Sequence, residues 1–308
     1  MDIKAYLSEK QTIINAYLNS YFAEPTLPPS LHESITYSLL SDGKRIRPIL
    51  ALASYEACGG KAEDILPQAA AIELIHTYSL IHDDLPSMDN DDLRRGRPTN
   101  HKVFGEAMAI LAGDALLTEA FVMMTNPLPP LSTFTKGKKA LSMKKFRQTS
   151  LLKAVREVAF AAGRHGMVGG QAQDILAEDS EPDREKLDFI HLHKTAALIN
   201  ASVRIGPILA DSGIKTLRAL TRFGRNIGLA FQIVDDILNI EGTTLELGKP
   251  VGSDAKKKKM TYPLLYGIEV ARQKKDDCFA EALDAVKEFA SEADPLREIA
   301  HYLVVRRN

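Results

Sequence analysis

The chain contains no tryptophan, and only 6% of its 308 residues are aromatic. A sheet-rich protein draws on aromatic and β-branched residues. Here alanine and leucine are abundant instead, which favours helix. Cysteine is also scarce. Cys58 and Cys278 are the only two, and they form no spaced motif, which excludes a disulfide framework and fits reduced thiols in a cytoplasmic protein. Charge of one sign is missing too. The net charge is −1, so global charge implies neither a nucleic-acid partner nor an anionic membrane surface. No unbroken apolar run approaches the roughly 18 residues of a membrane span. The N-terminus, Met1-Asp2-Ile3-Lys4-Ala5-Tyr6, is amphipathic and carries an acid, unlike a signal peptide. Sustained period-2 alternation, short-period repeats and shifts of composition are all lacking.

What is present is apolar periodicity near 3.6 along almost the whole chain. It predicts helices over about 2–22, 31–41, 47–58, 64–85, 103–124, 148–163, 167–178, 184–210, 214–242, 261–273, 276–291 and 294–305. Long helices with short Gly- or Pro-marked breaks predict an all-α fold: one large helical bundle, a single domain over residues 1–308. One stretch departs from the pattern. Residues 126–147 are rich in Pro, Ser, Thr and Lys, and read as an exposed connection.

Two acidic clusters stand about 150 residues apart in the sequence, each following an apolar stretch with helical spacing. The first contains Asp83, Asp84 and Asp89, then Asp91, Asp92, Arg94 and Arg95. A carboxylate pair at a helix C-terminus is doubly disfavoured, by mutual repulsion and by the negative end of the macrodipole. A hard divalent cation with oxygen ligands would compensate. Pro86 interrupts the helix just after the pair, so the next residues can fold back and bring Asp89 to the same side. Acids next to arginines suit an anion held partly by metal and partly by guanidinium forks. A diphosphate fits, because Mg²⁺ reverses the sign of the carboxylate–phosphate interaction.

The second cluster, Asp235 and Asp236, is followed by Asn239, which shares a helix face with Asp235. Gln232 lies near that face. Downstream are Lys249 and the run Lys256 to Lys259, readable either as a solvated face or as a lysine reaching an anionic ligand. Upstream, Asp42-Gly43-Lys44-Arg45-Ile46-Arg47-Pro48 forms a cationic turn, either plain surface or a second phosphate site.

These residues together resemble the trans isoprenyl diphosphate synthases, and more closely the bacterial short-chain farnesyl and geranylgeranyl types. The resemblance runs from about 30 to 305 and rests on Gly-Lys-Arg-Ile-Arg-Pro (43–48), Ser-Leu-Ile-His-Asp-Asp through Arg-Arg-Gly (79–96), Leu-Ala-Gly-Asp-Ala-Leu-Leu (111–117), Gly-Gly-Gln-Ala-Gln-Asp (169–174), His-Lys-Thr (193–195) and Phe-Gln-Ile-Val-Asp-Asp-Ile-Leu (231–238). It implies the isoprenoid-synthase type of all-α fold around a central cavity. It also implies head-to-tail condensation of isopentenyl diphosphate with an allylic diphosphate, and a homodimer. By the same resemblance Asp83, Asp84, Asp89 and Asp235 are metal ligands and, with Asp236, would hold about three Mg²⁺ on the allylic diphosphate. Arg94, Lys194, Thr195, Gln232, Lys249 and Lys259 match the allylic side. Lys44, Arg47, His76 and Arg95 match the isopentenyl diphosphate pocket. The catalytic set is then Asp83, Asp84, Asp89, Arg94, Lys194, Asp235 and Asp236.

Tyr78 and Ser79 lie five and four residues before Asp83. Five helical residues rise about 7.5 Å, the reach of one or two isoprene units, so a tyrosine there would floor the tunnel. In similar bacterial enzymes an aromatic at this position, with Pro86-Ser87, goes with a farnesyl product. Geranylgeranyl diphosphate is the alternative. Asn239 departs from the family's third aspartate, Lys257-Lys258 replace its Leu-Gly, and residues 126–147 form a longer connection than usual. Rival readings are a terpene cyclase, whose hydroxyl and Glu metal motif is missing around Asn239 and Glu241, a metal phosphohydrolase, and a non-catalytic synthase subunit.

Overall fold

The computed structural model describes residues 1–125, 148–178, 180–241 and 259–304. Helices dominate these residues. In chain order they are α1 (Ile3–Tyr21), α2 (Pro29–Leu39), α3 (Ile46–Glu56), α4 (Leu66–Asp83), α5 (Asn100–Phe104), α6 (Glu106–Thr125), α7 (Gln148–Ala162), α8 (Met167–Ala177), α9 (Arg184–Ile190), a π-helix (His191–Ala196), α10 (Ala197–Leu209), α11 (Ile214–Glu241), α12 (Tyr262–Tyr266), α13 (Ile268–Ala285) and α14 (Asp294–Val304). A minimal hairpin, β1 (Leu93–Arg94) with β2 (Arg97–Pro98), follows the first acidic cluster. The all-α expectation holds, with most predicted helices within two or three residues of their positions.

Helix α4 is the axis of the site. Almost every residue from Leu66 to Ile75 is buried, because α1, α2, α3 and α6 all pack against it. A helix apolar on all sides belongs in a core. On the other side α10 packs on α3, α7 and α11, while α11 packs on α13 and the π-helix. A smaller apolar cluster, including Leu187, Ile233, Met260 and Tyr262, joins α9, α11 and the segment entering α12.

The structure corrects two sequence expectations and adds one feature. The helix predicted over 184–210 is divided by the π-helix at His191–Ala196. The break predicted near 274 does not exist. The chain instead turns at Gly267, whose φ of 82° suits glycine, and α13 runs unbroken from Ile268. Finally, α6 has the length and apolar composition of a membrane span. Asp114 and Glu119 interrupt its apolar run. Its buried side packs against α4 and α2.

Candidate active site

The site begins where α4 ends. The Asp84 amide still donates to the Leu80 carbonyl (3.1 Å), and the chain then folds back. The Asp89 amide donates to the Asp83 carbonyl (2.8 Å) and the Asn90 amide to Leu85 (3.0 Å), with Asn90 at φ 50°. Asp89 therefore returns to the end of the helix carrying Asp83, as the proline-interrupted sequence predicts.

The three carboxylates meet different environments. Asp84 is buried, and Arg94 donates to both its oxygens, Nε to Oδ1 at 2.7 Å and to Oδ2 at 2.8 Å. Burial raises the Asp84 carboxyl above its ordinary value, with Arg94 opposing. Asp83 is half-buried. Burial pushes its carboxyl up to about 6; Lys194 pulls against the rise, Asp89 adds to it, and Arg94 and Lys259 oppose it. Asp89 accepts from Lys259 Nζ at 2.9 Å.

Lys259 also lies 3.4 Å from Asp174 Oδ2, which accepts from Lys194 Nζ at 2.7 Å. Asp174 thus anchors two lysines that face the first cluster. Burial disfavours its charge, yet the two lysines outweigh burial and hold its carboxyl below the ordinary value. Asp174 lies on α8 in the Gly-Gly-Gln-Ala-Gln-Asp stretch, whose glycines signal close backbone approach. A Cβ on Gly170 would stand 2.1 Å from the Lys194 backbone nitrogen. Only glycine lets α8 pack so near the π-helix.

The π-helix links both acidic clusters. Lys194 points to Asp174, while Thr195 Oγ1 donates to Gln232 Oε1 on α11 (2.7 Å). Gln232 Nε2 in turn donates to Asp236 Oδ1 (3.0 Å). Asp236 is buried. Its Oδ2 accepts from the Tyr262 amide (2.9 Å) and lies 3.2 Å from His191 Nε2. Asp236 is therefore an internal clamp between α11, the π-helix and the start of α12, a role the sequence does not announce. His191 was not singled out by its sequence context either. Lys259, bonded to Asp89, and Tyr262, bonded to Asp236, are three residues apart. Three residue steps reach at most about 11 Å, so the two acidic motifs meet at one locality. Asp235 is half-buried next to the clamp, and Asn239 is 3% exposed, a depth at which a further carboxylate would be strongly desolvated.

A second cationic group lies along α4. Arg47 Nη1 is 3.2 Å from His76 Nε2. Burial, then Arg47, Arg95, Arg94 and Arg45, hold His76 well below its ordinary pKa. Arg95 Nη1 donates to the Asp42 carbonyl (2.7 Å). Between them, Arg45 is a buried strut that sequence reasoning left unassigned. It donates to Glu73 Oε1 (2.8 Å), Asn15 Oδ1 (2.9 Å), and the carbonyls of Leu39 (2.8 Å) and Ser41 (2.9 Å). Lys44 lies on the same turn. Tyr78 is 6% exposed and packs edge-on to His82, ring centroids 5.7 Å apart. Burial and then Asp83 push its hydroxyl up to about 12. Ser79 Oγ donates to the His76 carbonyl (2.8 Å). Lys249, Lys256 to Lys258 and the predicted insertion 126–147 lie outside the described residues.

Among the described residues no three His, Cys, Asp or Glu side chains are close enough to hold a metal. Arg94 engages Asp84 and Lys259 engages Asp89 in their place. The donor chemistry of Asp83, Asp89 and Asp235 is carboxylate oxygen, which fits Mg²⁺. The desolvated Asp83 is the group whose charge a cation would relieve most.

The family model for polyprenyl synthetase matches residues 28–302. A geranylgeranyl diphosphate synthase of Cyanophora paradoxa is 44% identical, over 100% of this chain and 97% of that protein. A farnesyl diphosphate synthase of Bacillus subtilis (strain 168) is 43% identical, over 99% of this chain and 98% of that one. Among solved structures, the apo FPP/GFPP synthase of Zymomonas mobilis superposes with a TM-score of 0.81 at 35% identity, covering 98% of this chain and 99% of the other.

Proposed function

From the premise that this chain belongs to the polyprenyl synthetase family, we propose that it condenses isopentenyl diphosphate head-to-tail with an allylic diphosphate, geranyl or dimethylallyl, as one helical catalytic domain. The observation that carries this reading is the convergence at the end of α4. Lys194 and Lys259, both anchored on Asp174, face the first cluster, and Arg47, His76 and Arg95 gather one or two turns back. We read these two cationic groups, one beside Asp83 and one further back along α4, as the places of the two diphosphates.

Lys194, Lys259 and Arg94, with Lys249, hold the allylic diphosphate, with Thr195 and Gln232 fixing the π-helix from which Lys194 reaches. Lys44, Arg47, His76 and Arg95 hold the isopentenyl diphosphate. Asp83, Asp89 and Asp235 supply oxygen ligands for about three Mg²⁺, with Asp84 held to Arg94 at the edge. Mg²⁺ held by these carboxylates would neutralise the diphosphate and favour the negative charge of a leaving diphosphate. The allylic carbon–oxygen bond breaks with its electron pair going to the departing oxygen. The lysines and Arg94 stabilise that charge by preorganised electrostatics. The homoallylic double bond then attacks the allylic cation, and the released diphosphate takes the proton, so no side-chain base is required.

The product is farnesyl diphosphate on this reading, supported by the packed Tyr78 five residues before Asp83. Geranylgeranyl diphosphate is the second reading, favoured by relatives of that name at similar identity. We also infer a homodimer. Consecutive helices expose large apolar side chains, among them Leu111 and Val122 on α6, Leu152 and Phe160 on α7 and Leu176 on α8, an arrangement suited to burial between copies.

The test is incubation of the purified protein with Mg²⁺, isopentenyl diphosphate and geranyl diphosphate. A linear prenyl diphosphate is expected. A cyclic hydrocarbon, free monophosphate or no product would each overturn the assignment. Asp83→Ala should reduce turnover by at least about a thousandfold, in line with loss of a principal electrostatic group, while circular dichroism stays unchanged.

A further inference from the structure

Behind the first acidic cluster lies a second concavity, between α2, α4 and the hairpin. Residues seven apart on a helix share a side and adjacent residues differ by about 100°. His76 and Asp83 therefore take one side of α4, and Thr77 and Asp84 another. The cleft is lined by Thr77 and Asp84, and neither His76, Arg47 nor Lys44 lines it. Its volume is about 40 Å³. That holds a few waters or one phosphate-sized anion, and excludes a prenyl chain.

Charge selects the occupant. Arg94, Arg95 and Arg97 line the cleft against a single carboxylate, Asp84. Asp91 approaches Arg94 from outside at 3.8 Å, which still leaves the cations in excess. Arg97 stacks on the Tyr37 ring, 4.2 Å from its centroid, and makes no hydrogen bond or ion pair with any described residue. Thr77 is 4% exposed and also has no hydrogen-bond partner among the described residues. A stacked guanidinium and a hydroxyl that lines the cleft, both unengaged at the rim of a small cationic cleft, are a receptor for an oxyanion.

We propose that this cleft binds a small tetrahedral oxyanion of the phosphate class, held by Arg97 and the Thr77 hydroxyl, on a side of α4 that His76 and Asp83 do not share. Such an anion competes with Asp84 for Arg94 and loosens the pair that fixes the end of α4. Inorganic phosphate then slows turnover by drawing on Arg94, which otherwise serves the allylic diphosphate; only this kinetic consequence rests on the function proposed above.

The test is calorimetric titration of the full chain with inorganic phosphate, and separately with inorganic diphosphate, without Mg²⁺. Arg97→Gln and Thr77→Val should each weaken phosphate binding, the first by at least about tenfold, the loss of one charge-assisted hydrogen bond, with both substrate KM values unchanged. Diphosphate binding that falls in parallel supports the reaction product as a source of the anion. A fall for phosphate alone supports free phosphate. Phosphate affinity unchanged in both variants, or lost instead in Arg47→Gln, would overturn the proposal by placing the anion in the substrate pocket or nowhere. Binding is read without turnover, so the outcome stands apart from the assay above.

Discussion

His76 is the residue whose surroundings make the clearest demand. It is buried beside Arg47, with Arg95, Arg94 and Arg45 adding positive charge, and its folded pKa lies well below 6.5. Above pH 6.5 the imidazole is neutral both folded and unfolded. As pH falls below 6.5 the unfolded chain takes a proton that the folded chain refuses, so stability is lost, by up to about 1.4 kcal/mol per pH unit. His76→Asn should lose less stability than the parent between pH 6.5 and pH 5. Denaturant midpoints at both values check this, and equal losses would remove His76 as the cause. Tyr78 makes a different demand. It fills space next to His82 below Asp83, so Tyr78→Ala should open room for about one more isoprene unit, seen by chromatography as a longer product. An unchanged product spectrum would rule out Tyr78 as the floor. The aspartates and basic residues were legible in the sequence because their types and spacing are specific. The roles of Arg45, Asp174, His191 and Asp236 were not, since each acts through a partner 20 or more residues away, and only the fold reveals such pairs.

At the scale of elements, close approach governs. α8 rests on the π-helix through Gly170. Gly170→Ala forces the two apart, because the Cβ would meet backbone, which cannot swing away. The expected cost is about 1–3 kcal/mol, seen as a lower Tm. A larger relative loss in kcat than in stability-matched surface variants should accompany it, as Lys194 shifts. A Tm and kcat equal to the parent would show that α8 tolerates the methyl. Apolar periodicity made the helices legible because burial of one face obeys 3.6 residues per turn. The π-helix escaped it: a π turn alters the hydrogen-bond ladder and not the composition, so 184–210 reads as one helix. The false break near 274 arose from Lys274, Lys275, Asp276 and Asp277, a charged stretch that α13 carries on an exposed side without interruption.

At the scale of the whole molecule, two halves of the chain must be assembled before either acidic motif has a function. α4 and its loop bring Asp83 and Asp89; α8, the π-helix, α11 and the segment from Lys259 to Tyr262 bring the rest. In the proposed homodimer the exposed apolar side chains on α6, α7 and α8 would be covered by a second copy. Sedimentation should give twice the monomer mass of 33.9 kDa, and Phe160→Asp with Leu152→Asp should shift the population toward monomer. A monomeric parent would leave those side chains unexplained by self-association.

Lys194 owes its direction to a turn one residue wider than an ordinary helix requires. Delete a single residue from His191–Ala196 and the coil can close into regular α-helix without losing its continuity. Because the wide turn takes up one extra residue, the chain after the deletion would keep nearly its bearing to the chain before it, and only the side chains within the turn would be re-aimed. The shortened protein would keep its helical content while the lysine and the threonine beside it exchanged neighbours, so the length of this one turn, more than its composition, separates a functioning relative from a folded but silent one.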